Sequence, residues 1–197
     1  MGYGEHMASR AEHRLQTLHA LSDAAIVCFE ADASATVQAI ASAAGVSRRT
    51  VFRYVDSREE LAFIHPLLWF DAFDGALDAH ATEPLVERLR IASAAIGAAV
   101  DANPEPPRRA FLVAAATPEL HRGFQTIFQR WVDRVAEVVA EAEGPTADPI
   151  RPRIVGGAVM GMVDAVTREW VLSSPEVRYS SLIDAGFETL RPMFAAI

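Results

Sequence analysis

Apolar residues recur every three or four positions along most of this chain, the spacing that turns one face of an α-helix toward a core. From Ser9 to Phe29 the recurring positions are Leu15, Leu18, Ala25 and Phe29. Two short helices joined by a tight turn follow between Thr36 and Val55. In the first, Val37, Ile40, Ala41 and Ala44 share a face, and the Thr36 hydroxyl is placed to accept from a free backbone N–H at its start. Gly45 stops that helix, because the residue after a helix often needs a positive φ that glycine adopts without steric cost. Val46 is a short apolar plug, Ser47 is positioned to cap the second helix, and Val51 and Val55 face inward.

From Arg58 the pattern changes. Glu59 and Glu60 suit a helix N-terminus, and Leu61, Phe63, Ile64, Leu67, Leu68, Trp69, Phe70, Phe73 and Leu77 follow with hardly a polar face. A helix apolar all round is buried on more than one side, and Pro66 kinks or restarts it. This stretch, to Ala79, is either plain core or a connector. A helix from Glu83 to Ala102 carries Leu85, Leu89, Ala92, Ile96 and Ala99, and Asn103-Pro-Glu-Pro-Pro107 ends it. Arg108 to Ala116 is a short helix. Thr117-Pro118-Glu119 opens another, with threonine as N-cap and proline in the first turn, whose stripe is Leu120, Phe124, Ile127, Phe128, Trp131, Val135 and Val138. Gly144-Pro145 breaks it. Asp148 to Ser173 has a bulky stripe (Val155, Val159, Met162, Val166, Trp170) and a small one (Gly157, Gly161, Ala165). A last helix, Tyr179 to Phe194, shows Leu182, Ile183, Gly186, Phe187, Leu190 and Phe194. The fold class is all-α.

Charge separates one segment from the rest. The chain is acidic overall, at −8, yet no Asp or Glu occurs from Ala33 to Val55, where Arg48, Arg49 and Arg53 supply three positive charges. Duplex DNA carries one negative charge per roughly 1.7 Å of axis, so an acid-free basic segment on an acidic protein is a local electrostatic footprint. The outer face of the second short helix would hold Arg48, Arg49, Thr50, Arg53 and Tyr54, all able to donate hydrogen bonds to phosphates or base edges. A buried seam, a glycine turn and a basic second helix make a helix-turn-helix. An ordinary helical hairpin with solvated arginines has the same spacing.

The run from Ile40 to Val55, followed by Asp56-Ser-Arg-Glu-Glu-Leu61, closely resembles the DNA-binding domain of TetR-family transcriptional regulators. The resemblance spans Arg14 to Leu61; the remaining length is similar to the family's helical second domain in kind rather than in sequence. By position, it implies phosphate contacts at Thr36, Tyr54 and Arg58, and approach to bases at Gln38, Ser47, Arg48 and Thr50. There are departures. Phe52 stands where the family often has Tyr, which removes a phenol from the phosphates. The link from Phe29 to Thr36 is shorter than usual and lacks the customary Gly. Arg58 replaces the frequent Lys and keeps its charge.

The same resemblance implies a homodimer reading a pseudo-palindromic operator in double-stranded DNA, and a small apolar or amphipathic effector bound in the second domain. Broad apolar faces on the last two helices suit a bundle across a two-fold axis, with Gly157, Gly161, Ala165, Ile183 and Phe187 as the dimer residues. The alternative is that both faces are consumed inside one subunit. Trp69, Phe73, Phe111, Phe124, Phe128 and Trp131, with Phe70 beside them, are candidates to line an effector cavity; the same stripes equally serve as core. Residues 1–57 form the DNA-binding domain and residues 58–197 the effector-binding and dimerisation domain.

Composition narrows the other classes. Apolar residues make up 51% and charged residues 22%, the balance of a folded globular protein. The one cysteine, Cys28, excludes an internal disulfide and reads as a buried, inert thiol. No apolar run is long enough to span a membrane and no signal peptide is evident, so the expected compartment is the cytoplasm. Met1–His6, ahead of Met7, reads either as native sequence or as an added leader. There is no glycine-rich phosphate loop, no His-Glu-x-x-His and no Gly-x-Ser-x-Gly, and the six histidines form no helical pair in the second domain. No catalytic residue, metal or cofactor is expected. The leading reading is a ligand-released repressor; the competing one is a helical small-molecule binding protein, or an enzyme with an apolar cavity, whose basic hairpin is incidental.

Overall fold

The computed structural model describes residues 3–144 and 148–195, with side chains over 13–144 and 148–192. The status of Met1–His6 and the inward place of Phe194 therefore lie outside the described side chains. Every regular element among the described residues is helical: α1 (Tyr3–Ala31), α2 (Val37–Ala43), α3 (Arg48–Val51), a 3₁₀ turn (Glu59–Phe63), α4 (Ile64–Ala79), α5 (Leu85–Ala102), α6 (Glu105–Ala116), α7 (Pro118–Glu143), α8 (Arg151–Leu172) and α9 (Tyr179–Ala195). The chain forms two compact units, Met1–Leu67 with Glu105–Phe124, and Leu68–Pro104 with Gln125–Ile197. The first unit thus reaches past residue 57 and takes in α6.

In the first unit, α1 packs against α2, the 3₁₀ turn and α6. Its buried face is Leu18, Leu21, Ala25, Ile26 and Phe29. Leu15, expected in that face, is instead exposed, because the neighbouring elements cover α1 only from Thr17 onward. The restart expected near Pro66 is the passage from 3₁₀ turn to α4. Proline is the third residue of α4, where its missing N–H costs no intrahelical bond. The 3₁₀ turn is opened by a reciprocal cap: the Glu60 N–H donates to Ser57 Oγ at 3.3 Å, and the Asp56 N–H donates to Glu60 Oε2 at 3.1 Å. Ser57-x-x-Glu60 carries the sequence pattern of a capping box. Phe63, Phe111 and Phe124 form one aromatic cluster, with centroids 5.4–6.5 Å apart.

The second unit is built on α5 against α9 and α8 against α9. Asp101, near the end of α5, caps α9 from outside its own segment. Its Oδ1 accepts from the Tyr179 N–H at 2.7 Å, and its Oδ2 accepts from Ser180 Oγ and from Arg178 Nε. A carboxylate there satisfies free donors and suits the positive end of the helix dipole. Tyr179 is fully enclosed, its hydroxyl 3.0 Å from Thr167 Oγ1; loss of hydration pushes its phenol up to about 12. Along α7, Ile127, Trp131, Val135 and Val138 are buried as their spacing implies. Two helix starts differ from expectation. α6 begins at Glu105, with Pro106 and Pro107 inside its first turn, where prolines fit. α8 begins at Arg151, after Asp148 Oδ1 accepts from the Ile150 N–H.

Candidate nucleic-acid interface

The geometry of α2 and α3 is set within the segment itself. Thr36 Oγ1 accepts from the Ala39 N–H at 3.2 Å and Ser47 Oγ from the Thr50 N–H at 3.1 Å, so both N-caps stand where the residue types place them. Gly45 has φ +69°. The Val46 N–H donates to Ala41 O at 2.9 Å and the Gly45 N–H to Ser42 O at 3.1 Å, the pair of bonds that closes a helix around a left-handed glycine. The second helix is tighter than expected. Its regular part is Arg48–Val51, and it continues to Val55 by mixed bonds, Phe52 N–H to Arg48 O and Tyr54 N–H to Val51 O among them. Ile40, Ala41, Val51 and Val55 form the seam.

Opposite that seam, Thr36, Gln38, Ser47, Arg48, Arg49 and Arg53 are exposed, and Thr50 and Tyr54 are half-buried. In place of carboxylates, the guanidinium groups of Arg48 and Arg53 lie against rings. Arg53 Cζ is 4.9 Å from the Tyr54 centroid and its Nη2 donates to Tyr54 Oη at 2.8 Å, while Arg48 Cζ is 6.0 Å from the Phe52 centroid. An aromatic face attracts a cation without neutralising it, so the positive charge stays available to an anionic partner. Gln38 Nε2 donates to Ser42 Oγ at 3.2 Å, which holds the amide along α2.

Arg58 has a structural placement beside the phosphate contact that the resemblance implies. Only 23% of its side chain is exposed. Its Nη1 donates to Ala33 O and Ala35 O at 3.2 and 3.4 Å, its Nε to Glu59, and its guanidinium lies 5.6 Å from the Phe29 centroid. It pins the short α1–α2 link, whose carbonyls need a donor. Spacing along the chain could not show this, because the acceptors lie more than twenty residues away.

The six candidate effector residues divide between the units. Phe111 and Phe124 belong to the first. Trp69, Phe73, Phe128 and Trp131 belong to the second. Phe73 and Trp131 are buried, 2% and 6% exposed. Phe70 stacks on Trp131 at 3.8 Å and Phe73 meets its edge at 5.3 Å, so these rings are core within the unit, and Phe73 and Trp131 do not present open faces there. Two hollows in the second unit have other linings. One of about 580 Å³ runs along Asp133, Glu137, Gly144, Pro152 and Arg153, and one of about 450 Å³ along Ala98, Asp101, Trp170 and Arg178.

The five dimer candidates also separate. Ile183 and Phe187 are 2% and 1% exposed and are consumed inside the subunit, because α9 fills the gap between α5 and α8. Gly157, Gly161 and Ala165 are exposed, and nothing lies within 4 Å of a Cβ built on either glycine. Close approach within the subunit uses Gly156 instead, where a Cβ would stand 2.7 Å from Val132 O. Exposed Ile154 and Leu172 share α8 with the small stripe. Among the described residues no group of three or more His, Cys, Asp or Glu gathers as a metal site, and no helix is long and apolar enough to cross a membrane.

Two family profiles match the sequence. "Bacterial regulatory proteins, tetR family" matches residues 21–63, and "MftR C-terminal domain" matches residues 83–195, more than half of the chain. A relative from Mycobacterium tuberculosis, the candidate mycofactocin biosynthesis transcriptional regulator MftR, is 27% identical over 188 residues, 94% of each chain. Among solved structures, the transcriptional regulator FadR from Bacillus subtilis in complex with stearoyl-CoA aligns with TM-score 0.59 at 15% identity, over 87% of this chain and 96% of that one. The fatty acid degradation regulator FadR from Bacillus halodurans aligns with TM-score 0.58 at 17% identity, over 88% and 94%. At these identities the structural likeness is one of fold.

Proposed function

The chain belongs to the TetR family of bacterial transcriptional regulators and is a DNA-binding regulator; from that premise we propose that it is a homodimeric repressor released from a pseudo-palindromic operator by an amphipathic effector. The observation that carries the reading is the capped helix-turn-helix with an acid-free arginine face, on a chain of net charge −8. Residues 1–57 read the duplex, and residues 58–197 pair the subunits and take the effector. Arg48, Thr50, Ser47 and Gln38 face base edges. Arg49, Arg53, Tyr54 and Thr36 hold phosphates, contacts that position the helix without specifying sequence. Two copies joined through the small stripe of α8 would present two such helices to half-sites about 34–36 Å apart.

The effector reading draws on relatives. A FadR of the same fold holds stearoyl-CoA, and the half-buried rings of Trp69 and Phe128 leave apolar surface that suits an acyl tail. To release DNA, the effector must bind the conformation with misplaced heads more tightly, since equal affinity for both conformations shifts nothing. The protein acts on chromosomal DNA, hence in the cytoplasm. The test is selection of bound fragments from the source genome, followed by release assays with stearoyl-CoA, free stearate and CoA alone. Salt-dependent, sequence-specific binding supports the regulator, and release by stearoyl-CoA but not CoA supports the acyl effector. Equal binding to all duplexes removes the repressor reading.

A further inference from the structure

We propose that Phe52 reads the 5-methyl group of a thymine in the major groove, and so sets a base preference at one position of each half-site. This rests on the reading of the chain as a duplex-binding regulator. Phe52 is 49% exposed. It lies on the exposed flank of the second helix, next to the buried Val51, on the same side as Arg48 and Arg49, four and three residues earlier. The ring is therefore an apolar centre with Arg48 and Arg49 as its cationic rim, in a segment without a carboxylate from Ala33 to Val55.

Single exposed apolar residues are common and need no explanation by themselves. The rim is what selects an occupant. Its match must be anionic at the edges and apolar at the centre. A DNA major groove meets that description: phosphates run along both sides, and the thymine methyl is the one apolar group that the base edges present there. A phenylalanine ring has no hydroxyl to offer a phosphate, so toward a base edge it offers apolar contact. The guanidinium of Arg48, 6.0 Å from the ring centroid, travels with it. That couples a cation able to bridge a guanine edge to an apolar group suited to a neighbouring thymine.

The experiment uses the full-length protein and an operator recovered by selection from random duplexes. Each thymine is replaced in turn by deoxyuridine, which removes the methyl and leaves every hydrogen-bonding group in place. For the wild type, one thymine per half-site should cost about four-fold in affinity, and the symmetric pair about fifteen-fold, the loss expected for one methyl-sized group per site. Phe52→Ala should bind the thymine and deoxyuridine operators equally; Phe52→Leu should keep part of the difference. Both variants should melt like the wild type, since the ring is half-exposed. A wild type indifferent to every deoxyuridine, or a methyl dependence that persists in Phe52→Ala, overturns the inference while the regulator reading stands. Absence of sequence-specific duplex binding in the wild type removes both.

Discussion

Gly161→Leu separates an interface role of the small stripe from a packing role. Nothing within 4 Å would meet a Cβ at Gly161, so the isolated subunit tolerates the side chain. It should even gain about 0.8–1 kcal/mol, the difference in helix propensity between glycine and a good helix former. In a two-fold dimer the change enters the contact twice. Overpacking costs about 1–3 kcal/mol per site, so the dimer should weaken by about 2–6 kcal/mol, roughly 30-fold to over 10,000-fold in dissociation constant. Gly156→Ala gives the opposite pattern. Its Cβ would press on backbone, 2.7 Å from Val132 O and 3.3 Å from Ala136 N, so the subunit itself should lose about 1–3 kcal/mol. Sedimentation velocity across a concentration series reads the first quantity, and urea unfolding of the monomeric fraction reads the second. A Gly161→Leu protein that stays dimeric with unchanged affinity, or one that unfolds as readily as Gly156→Ala, would refute the reasoning.

Four further outcomes are expected. His65 is buried against His19, with Nε2 unpartnered, and burial followed by the neighbouring histidine holds it down at about 4, against an ordinary 6.5. The unfolded chain therefore takes up the proton first. The contribution of His65 to stability should be flat above about pH 7.5 and fall by about 2 kcal/mol between pH 7.5 and pH 5, a slope that urea melts of His65→Leu should lack. Arg58→Lys keeps the charge but cannot span Ala33 O, Ala35 O and Glu59 together. It should lower stability by about 1 kcal/mol, whereas a residue serving only phosphates would leave the melting curve unchanged. Arg48→Ala should cost about 1–3 kcal/mol on the operator and relax one base position. Tyr54→Phe should weaken binding similarly on specific and random duplexes, and equal losses for both variants on both duplexes, measured by fluorescence anisotropy, would undo this division of roles.

Much of the DNA-binding segment was legible along the chain because its causes are local. Thr36, Ser47 and Gly45 act on atoms within five residues, so residue type and spacing suffice to place two caps and a left-handed turn. The missing carboxylates from Ala33 to Val55 are likewise a property of sequence, and they determine the sign of the field wherever the helix points. Helical periodicity carried the fold class and most of the α7 stripe for the same reason. What only the tertiary structure decided was how each face is spent. Arg58 pins the α1–α2 link, because carbonyls from Ala33 and Ala35 arrive beside it. Phe73 and Trp131 became core because Phe70 and Phe73 cover the indole. Ile183 and Phe187 went inside the subunit while Gly157 and Gly161, on the same kind of stripe, stayed open. Gly156 and Gly157 are adjacent, and the roughly 100° between successive residues of α8 gives the first to α7 and leaves the second bare. Periodicity reports that a helix has an apolar face; which neighbour covers it depends on contacts between residues far apart in the chain, and spacing holds no information about those.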